Sequence, residues 1–245
     1  DSSTSRGLGD VYKRQVYDPA CGSGGMLIEA IRYMHDDSLC CGSIFGQEKN
    51  VVNAAIAKMN LFLHGASDFN VMQGDTLRDP KILQGGNIAK FDCVIANPPF
   101  SLENWGATEW SSDKYKRNIY GTPSDSCGDY AWIQHMICSM SSGKGRMAVV
   151  MPQGILFRGN QEAEIRKQLV ESDLIEAVVT LGDKLFYGTG LSPCFLIIRR
   201  MKQAHHSGRI LMIDGSKILT QKRAQNILEE NDIDLSLIHI SEPTR

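Results

Sequence analysis

The residues with the most specific chemical pattern are Asn97-Pro98-Pro99-Phe100, which directly follow an apolar run. Two successive prolines fix φ and cannot continue a sheet ladder, so they would hold the Asn97 side chain and the Pro98 carbonyl in one arrangement. Two acceptors held in this way would bind both hydrogens of an exocyclic amine and localise a lone pair that is otherwise delocalised into the ring. Phe100 would stack on the base that carries the amine. The tetrapeptide therefore predicts a site that activates a base amino group, and the alternative is a proline-rich turn that only caps a buried strand.

A glycine-rich stretch follows an acidic residue near the start of the chain. It consists of Asp18, Pro19, Ala20, Cys21, Gly22, Ser23, Gly24 and Gly25. Glycines let a backbone turn sharply and approach a ligand closely. The dinucleotide fingerprint G-x-G-x-x-G would need a third glycine where Leu27 stands, so the phosphate-binding form of this turn is not fully matched. An acid directly before the glycines suits a cationic ligand better than a pyrophosphate, and the alternative is a tight turn that binds nothing.

Two further acidic residues end the next two predicted strands. Glu48 lies 26 residues after Gly22, and a carboxylate there would accept both hydroxyls of a ribose. Asp75 follows Gly74 and would accept a hydrogen bond from an adenine amino group, although taken alone it is better interpreted as a helix N-cap. Together, acids at three strand ends predict a site for an adenosine group and a cation. The predicted ligand-binding residues are Asp18, Ala20, Gly22, Ser23, Gly24, Glu48 and Asp75.

Strands and helices alternate along the chain and would position these residues. The predicted strands are 16–18, 43–48, 70–74, 91–96, 146–151, 175–181, 195–199 and 210–213, and the predicted helices are 25–35, 51–64, 130–140 and 161–171. This pattern predicts a doubly wound α/β domain with a mostly parallel sheet. Ligands of such sheets bind beyond the carboxyl ends of the strands, where the acids and Asn97 are expected. The long polar loop 101–128 is predicted to be an irregular insertion that is functional or mobile.

Composition limits the class of protein. The 245 residues carry 26 basic and 28 acidic side chains, a net charge of −2, which excludes a protein that coats nucleic acid through bulk positive charge. The seven cysteines form no C-x-x-C pair and no pattern with histidines, so we predict reduced core residues and no metal site. No apolar run reaches the roughly 20 residues that a membrane helix needs, and the cytoplasm is the expected location.

Both ends of the chain differ from its middle. Residues 1–15 lack usable periodicity, and residues 235–245 resemble translated sequencing-adapter sequence. We therefore predict a non-native leader at 1–15, a catalytic domain at 16–234 that is truncated at both ends, and a non-native tail at 235–245.

These motifs together resemble the modification subunit of type I restriction–modification systems, a family of adenine-N6 DNA methyltransferases that use S-adenosylmethionine. The resemblance covers some 200 residues and extends through further stretches of the chain: Asp129–Trp132, 145–152, 154–158 and 185–190. It implies the seven-stranded type of sheet found in S-adenosylmethionine-dependent methyltransferases.

The resemblance also implies a role for each site residue. Asp18 and the glycine-rich stretch would hold the methionine part of the cofactor, Glu48 its ribose and Asp75 its adenine. Asn97 and the Pro98 carbonyl, with Pro99 behind them, would bind the target amino group, and Phe100 would stack on a base that has left the duplex. An aromatic near the flipped adenine would be Phe186. The implied partners are double-stranded DNA, a specificity subunit that reads the sequence and a restriction subunit.

Two alternatives remain open at this point. The same N-P-P-aromatic device methylates guanine amines in RNA and glutamine side chains in proteins, although the stretches 154–160 and 185–190 argue for DNA. The family also has an N-terminal helical domain, a segment that closes the methionine pocket and a C-terminal helical extension, which this chain does not match. The chain would then be an inactive fragment, and we predict that alone it does not methylate DNA.

Overall fold

The computed structural model describes residues 14–36, 42–185 and 190–216. The strands are β1 Val16–Asp18, β2 Ile44–Glu48, β3 Phe69–Gln73, β4 Leu83–Gln84, β5 Asn87–Ile88, β6 Cys93–Ala96, β7 Arg146–Pro152, β8 Ile175–Leu181, β9 Pro193–Arg199 and β10 Leu211–Gly215. The helices are α1 Gly25–Asp36, α2 Val51–Leu63, α3 Ala107–Ser111, α4 Asp129–Ser139 and α5 Asn160–Glu171. Every strand and helix predicted above is present, and their ends move by no more than two residues.

Eight of the strands form one sheet in the order β10-β8-β9-β7-β6-β1-β2-β3. All neighbours are parallel except β9, which runs antiparallel between β7 and β8. This confirms the predicted doubly wound, mostly parallel α/β sheet. The sheet has one strand more than the predicted seven-stranded type, because β10 adds a parallel edge strand beside β8. The hairpin β4–β5 was not predicted and forms a separate two-stranded ribbon.

Helices cover both faces of the sheet and bury two apolar clusters. Successive side chains of a strand point to opposite faces, so Val16 belongs to the cluster that α1 and α2 cover and Tyr17 to the cluster that α4 and α5 cover. α2 contributes Ala54, Ala57 and Leu61 to its cluster, and α4 is buried along nearly its whole length. The near-continuous apolar sequences of β6 and β7 follow from this arrangement, since both of their faces are covered.

The insertion 101–128 is irregular over most of its length, as predicted, but it packs against the main apolar cluster. It contains α3, and it buries Trp105 and Trp110 with their ring centroids 5.6 Å apart. Arg117 is 1% exposed and lies over the ring of Trp110. These aromatic and ionic contacts give the insertion a core that its polar sequence does not reveal.

Within the described ranges, no helix is long and apolar enough to cross a membrane. The longest of them, α2, has 13 residues.

Candidate functional site

The sheet brings most of the predicted site residues to one edge. Asp18 ends β1, Glu48 ends β2, Asp75 follows β3 by two residues, and Asn97 directly follows β6. These four strands are parallel neighbours, so their carboxyl ends lie along the same edge of the sheet. Phe186 lies outside the described residues, and its predicted role stays a prediction.

The glycine-rich stretch turns back over the end of β1. The Ala20 N–H donates to Oδ1 of Asp18 at 2.9 Å. Gly22 has φ +53° and Gly24 has φ +86°, in the left-handed region that favours glycine. A methyl group on Gly24 would lie 3.4 Å from Ala57 of α2, so the turn approaches that helix closely. The result is a tight loop that exposes Ser23 and leads directly into α1.

Asp18 carries an unusual charge environment. It is 2% exposed, and within the described residues no cationic side chain pairs with it. Burial raises the pKa of its carboxyl to about 7, the negative charge of Glu48 adds to this shift, and the Ala20 N–H opposes it. A positively charged ligand beside Asp18 would favour the ionised carboxylate. This environment therefore fits a cation better than an anionic ligand.

Glu48 joins the glycine-rich stretch to the start of α2. Its Oε2 accepts from the Gly22 N–H at 3.0 Å, and its Oε1 accepts from the Asn50 N–H at 2.7 Å. Asn60 of the same helix donates to the carbonyl of Ser23 at 2.9 Å. Each oxygen of the carboxylate has a second lone pair, so the half-buried Glu48 retains acceptor capacity for a hydroxyl group.

Asp75 caps a tight turn rather than a helix. Its Oδ1 accepts from the N–H groups of Leu77 and Arg78 at 3.2 and 3.3 Å. Its Oδ2 pairs with Nζ of Lys49 at 2.9 Å. The helix N-cap interpretation is therefore wrong, because the chain forms a turn and no helix after Asp75. The carboxylate lies at the carboxyl ends of the strands, beside Glu48.

The Asn97–Phe100 segment leaves the sheet from β6, an interior strand between β1 and β7. Pro98 is buried, Asn97 is exposed and Phe100 is half-buried. Within the described residues, the Asn97 side chain makes no hydrogen bond. Ser101 follows with φ +50°, and this left-handed residue turns the chain away. The arrangement presents an unpaired amide and an aromatic ring at the edge that also carries Asp18.

A buried ionic cluster anchors the chain just after this segment. Asp129 is fully buried at the start of α4, and its Oδ1 accepts from the Ser101 N–H at 2.7 Å. Arg158 Nη2 donates to Asp129 Oδ2 at 2.7 Å, and Arg158 Nη1 pairs with Glu162 at 3.0 Å. The Cys127 thiol also donates to Asp129 at 3.4 Å. The loop after β6 is thereby tied to α4 and α5.

The stretch 154–160 has a structural explanation in this cluster. A methyl group on Gly154 would lie 2.7 Å from Nη2 of Arg158, so glycine is needed for the guanidinium to lie where it does. Asn160 has φ +54°, a conformation that asparagine tolerates better than most residues. Phe157, between them, is 74% exposed on the loop after β7 and offers a second aromatic ring at the same edge.

Sequence reasoning missed a second buried group that contacts this site. Arg117, from the insertion, donates to the carbonyls of Thr76 and Leu77 at 2.8 Å each, directly after Asp75. It also contacts His135 of α4, which in turn contacts Tyr17. Its local contacts are with Asp113 and with the rings of Trp110 and Tyr115. The contacts with Thr76, Leu77 and His135, which link it to the site, are distant in sequence.

The chain has relatives among characterised protein families. Residues 4–240 match the family described as N-6 DNA Methylase. The chain is 37% identical over 231 residues to the methylase subunit of the type I restriction enzyme MjaVII from Methanocaldococcus jannaschii. The alignment covers 90% of this chain and 39% of that protein. It is 34% identical over 211 residues to the HindI methylase subunit from Haemophilus influenzae, which covers 84% and 46% respectively.

Solved structures agree in fold. The methyltransferase subunit of a type I restriction-modification system from Streptococcus thermophilus matches with a TM-score of 0.83 at 30% identity, over 96% of this chain and 49% of that chain. A putative class I S-adenosylmethionine-dependent methyltransferase from Listeria monocytogenes, at 16% identity and a TM-score of 0.67, shares the fold alone. The chain spans less than half the length of the type I subunits it matches here. Because the family match extends over nearly the whole chain, this chain belongs to the N-6 DNA methylase family.

Proposed function

We propose that the chain carries the catalytic core of an adenine-N6 DNA methyltransferase that takes its methyl group from S-adenosylmethionine. The observation that carries this proposal is the shared edge of the sheet, where Asp18, Glu48 and Asp75 lie beside the Asn97–Phe100 segment. An adenosine site and an amine-binding site side by side are what transfer from this cofactor to a base requires. Family membership supports the same activity.

The residues present fit S-adenosylmethionine. Its methionine part carries positive charge on the sulfonium and the α-amino group, and Asp18 is a buried carboxylate without a cationic partner among the described residues. The backbone of the glycine-rich stretch, including Ala20, Gly22, Ser23 and Gly24, would surround that part. Glu48 would accept the ribose hydroxyls, and Asp75 would accept from the adenine amino group.

The Asn97–Phe100 segment would bind and activate the target. The Asn97 side-chain oxygen and the Pro98 carbonyl would each accept one hydrogen of the adenine amino group, which draws the nitrogen towards tetrahedral geometry. Pro99 keeps the two acceptors in place, and Phe100 would stack on the base. The unpaired Asn97 amide is available for this task because no other described group occupies it.

Positioning would account for most of the rate enhancement. S-adenosylmethionine, held by Asp18, Glu48 and Asp75, would supply an electrophilic methyl group on a sulfonium whose sulfur leaves as a neutral thioether. The target amine would lose one proton to solvent. The chain's contribution is to align the amine with that methyl group and to localise its lone pair.

DNA and partner subunits complete the proposal. The net charge of −2 implies that much of the phosphate contact and the sequence readout belong to other parts of an assembly. We propose a specificity subunit and a restriction subunit as those partners, with the cytoplasm as the place of action. The exposed Phe157 and the half-buried Phe100 would face the DNA.

Calorimetric titration with S-adenosylmethionine tests the cofactor site. We expect saturable binding by the wild-type chain and at least a tenfold loss of affinity in Asp75→Ala. The matched control is Asp79→Ala, which removes an exposed carboxylate four residues away and should bind normally. A well-folded chain that binds no cofactor would contradict the proposed site.

A transfer assay tests the substrate class. Radiolabelled methyl incorporation is measured with DNA, RNA and protein offered separately, first with the chain alone and then with a co-expressed specificity subunit. We expect incorporation into DNA adenine only in the assembled complex, and its loss in Asn97→Ala. Incorporation only into RNA or into protein glutamine would support the alternative N-P-P-aromatic enzymes and overturn the DNA assignment.

A further inference from the structure

The guanidinium of Arg117 lies in the interior between the insertion and the cofactor-binding edge. It is 1% exposed, and its charge partner Asp113 lies four residues earlier in the same insertion. Nε donates to Asp113 Oδ2 at 3.0 Å, and Nη2 donates to Asp113 Oδ1 at 2.8 Å. This bidentate pair fixes the plane of the guanidinium and leaves its remaining donors directed away from the insertion.

Those remaining donors hold the turn that follows Asp75. Nη1 donates to the Thr76 carbonyl and Nη2 to the Leu77 carbonyl, both at 2.8 Å. The last donor, on Nη1, reaches Nδ1 of His135 at 3.2 Å. All five N–H groups of Arg117 therefore have acceptors. Because every donor of this buried guanidinium is used, its position and orientation are fixed by its acceptors. Two of its five bonds go to the main chain beside Asp75.

The same cluster reaches the end of β1. Because Arg117 is only a donor, Nδ1 of His135 must accept, so Nε2 carries the proton and donates to the Tyr17 hydroxyl at 3.1 Å. Tyr17 immediately precedes Asp18. In addition, the Thr76 hydroxyl donates to the Pro19 carbonyl at 2.6 Å. The Asp75 turn is thus bonded both to the insertion and to the glycine-rich stretch.

A second arginine makes the connection reciprocal. Arg78, on the Asp75 turn, donates through Nη2 to the Asn104 carbonyl at 2.5 Å and through Nε to the Trp105 carbonyl at 3.4 Å. One arginine reaches from the insertion to the turn, and the other reaches from the turn to the insertion. The insertion begins at Ser101, directly after the Asn97–Phe100 segment, so the two halves of the proposed site share this connection.

We propose that Arg117 is a positioning residue that holds the Asp75 turn in the shape needed to bind the adenine of the cofactor. The inference rests on the proposed function, since it assigns Asp75 to that adenine. It adds that the insertion 101–128 is a structural part of the cofactor site, through a guanidinium that touches no substrate itself.

Hydrogen exchange tests the positioning role without any ligand. In Arg117→Lys the charge is kept, but an ammonium cannot satisfy five acceptors in a plane. We expect the amides of residues 77–79, which bond to Asp75, to exchange at least tenfold faster than in the wild type. Peptides from β8 and β10 serve as the internal reference. A uniform rise in both regions would assign Arg117 to overall stability alone and overturn the proposal.

Ligand discrimination tests the connection to adenine. Affinities are measured for S-adenosyl-L-homocysteine and for S-inosyl-L-homocysteine, which lacks the 6-amino group. We expect the wild type to prefer the adenine compound, and Arg117→Lys to lose about tenfold of that affinity and most of the preference. The matched control is Arg199→Lys, whose arginine pairs with Glu176 far from the turn and should behave as wild type. Unchanged affinity and preference in a folded Arg117→Lys chain would contradict the proposal.

A second variant covers the case in which Arg117→Lys does not fold. Arg78→Ala removes the reciprocal contact from an exposed side chain and should fold normally. We expect a smaller loss of adenine preference, about threefold, with faster exchange at 77–79, and no change in either would overturn the proposal. If the wild-type chain binds neither compound, the proposed cofactor site fails, whereas the exchange experiment still reports on the turn itself.

Discussion

Asp18 and Asp129 are both buried carboxylates, yet their surroundings differ in charge. Asp18 is 2% exposed and accepts one backbone N–H, from Ala20. Asp129 is fully buried and accepts from Arg158 and from the N–H of Ser101. The chain supplies Asp129 with a positive charge, and among the described residues it supplies none to Asp18.

This difference distinguishes a structural group from a ligand-binding group. A buried carboxylate needs compensation, because removing its charge from water is costly. Where the chain provides the compensation, as at Asp129, the result is a fixed junction between the loop after β6, α4 and α5. Where compensation is missing, the pKa rises, as it does to about 7 for Asp18, and a cationic ligand can supply what the fold leaves out.

The largest effect is expected from breaking the paired cluster. Arg158→Met keeps most of the side-chain volume but leaves Asp129 and Glu162 buried without their shared cation. We expect the free energy of unfolding to fall by about 3–5 kcal/mol in urea denaturation. Arg199→Met, which breaks a more exposed pair with Glu176, is the control and should lose about 1 kcal/mol or less. Similar losses in the two variants would remove the distinction between the sites.

Neutralising the unpaired carboxylate should have effects of opposite sign on binding and stability. For Asp18→Asn we expect S-adenosylmethionine affinity to fall by about 10- to 100-fold, the equivalent of roughly 1.5–3 kcal/mol for a charged hydrogen bond. At pH 8 the ligand-free chain should become more stable, because an isosteric amide has no buried charge. Calorimetry and thermal unfolding check the two effects. A variant that is less stable at pH 8 would show that Asp18 is compensated in the fold.

Stability and cofactor affinity should both depend on pH through the Asp18 carboxyl. The Asp18 carboxyl has an ordinary pKa of 3.8 in the unfolded chain and about 7 in the fold, so the folded state binds the extra proton between these values. The stabilising contribution is fully present below pH 4 and is lost as the pH rises through 7, by roughly 1.4 kcal/mol per pH unit. Cation binding needs the ionised form, so affinity should fall about tenfold for each pH unit below 7. A titration series from pH 5.5 to 8.5 measures this slope, which Asp18→Asn should flatten.

The smallest effect concerns the geometry beneath Arg158. In Gly154→Ala the new methyl group would displace the guanidinium, and we expect a loss of about 1–2 kcal/mol. Gly143→Ala is the control, since nothing lies within 4 Å of its added methyl group. Chemical denaturation of both variants tests this prediction. Equal stability of the two alanine variants would mean that Arg158 moves without loss.

Much of the fold was predictable because its signals are local. The ends of the strands were predicted to within two residues, from apolar runs such as those of β6 and β7 and from the alternation of strands with helices. The placement of Asp18, Glu48 and Asn97 close together was also predictable, because the carboxyl ends of neighbouring parallel strands lie on the same side of the sheet. The extra edge strand β10 was predicted as a strand, but its place in the sheet depends on pairing with β8, which no local pattern specifies.

The packing of the insertion was not predictable, because the contacts that hold it are distant in sequence. Arg117 bonds to carbonyls 40 and 41 residues earlier, and Arg158 bonds to Asp129, 29 residues earlier. A polar sequence with scattered aromatics does not reveal which charges meet in the interior. The capping of a turn by Asp75 was partly visible, since aspartate favours such positions, but its pairing with Lys49 required the adjacent strand ends.

The contacts of Arg117 with Thr76 and Leu77 have a consequence for how this protein can diverge. Both acceptors are main-chain carbonyls, so an amino-acid replacement at either position leaves the acceptor atom itself in place. A one-residue insertion or deletion between 75 and 79 would instead carry both carbonyls away from the guanidinium. The two bonds to Arg117 should therefore survive changes of residue identity at 76 and 77 but not a change in the length of the turn. Chimeras that exchange residues 101–128 between relatives should succeed when the spacing from Asp75 to β4 is preserved.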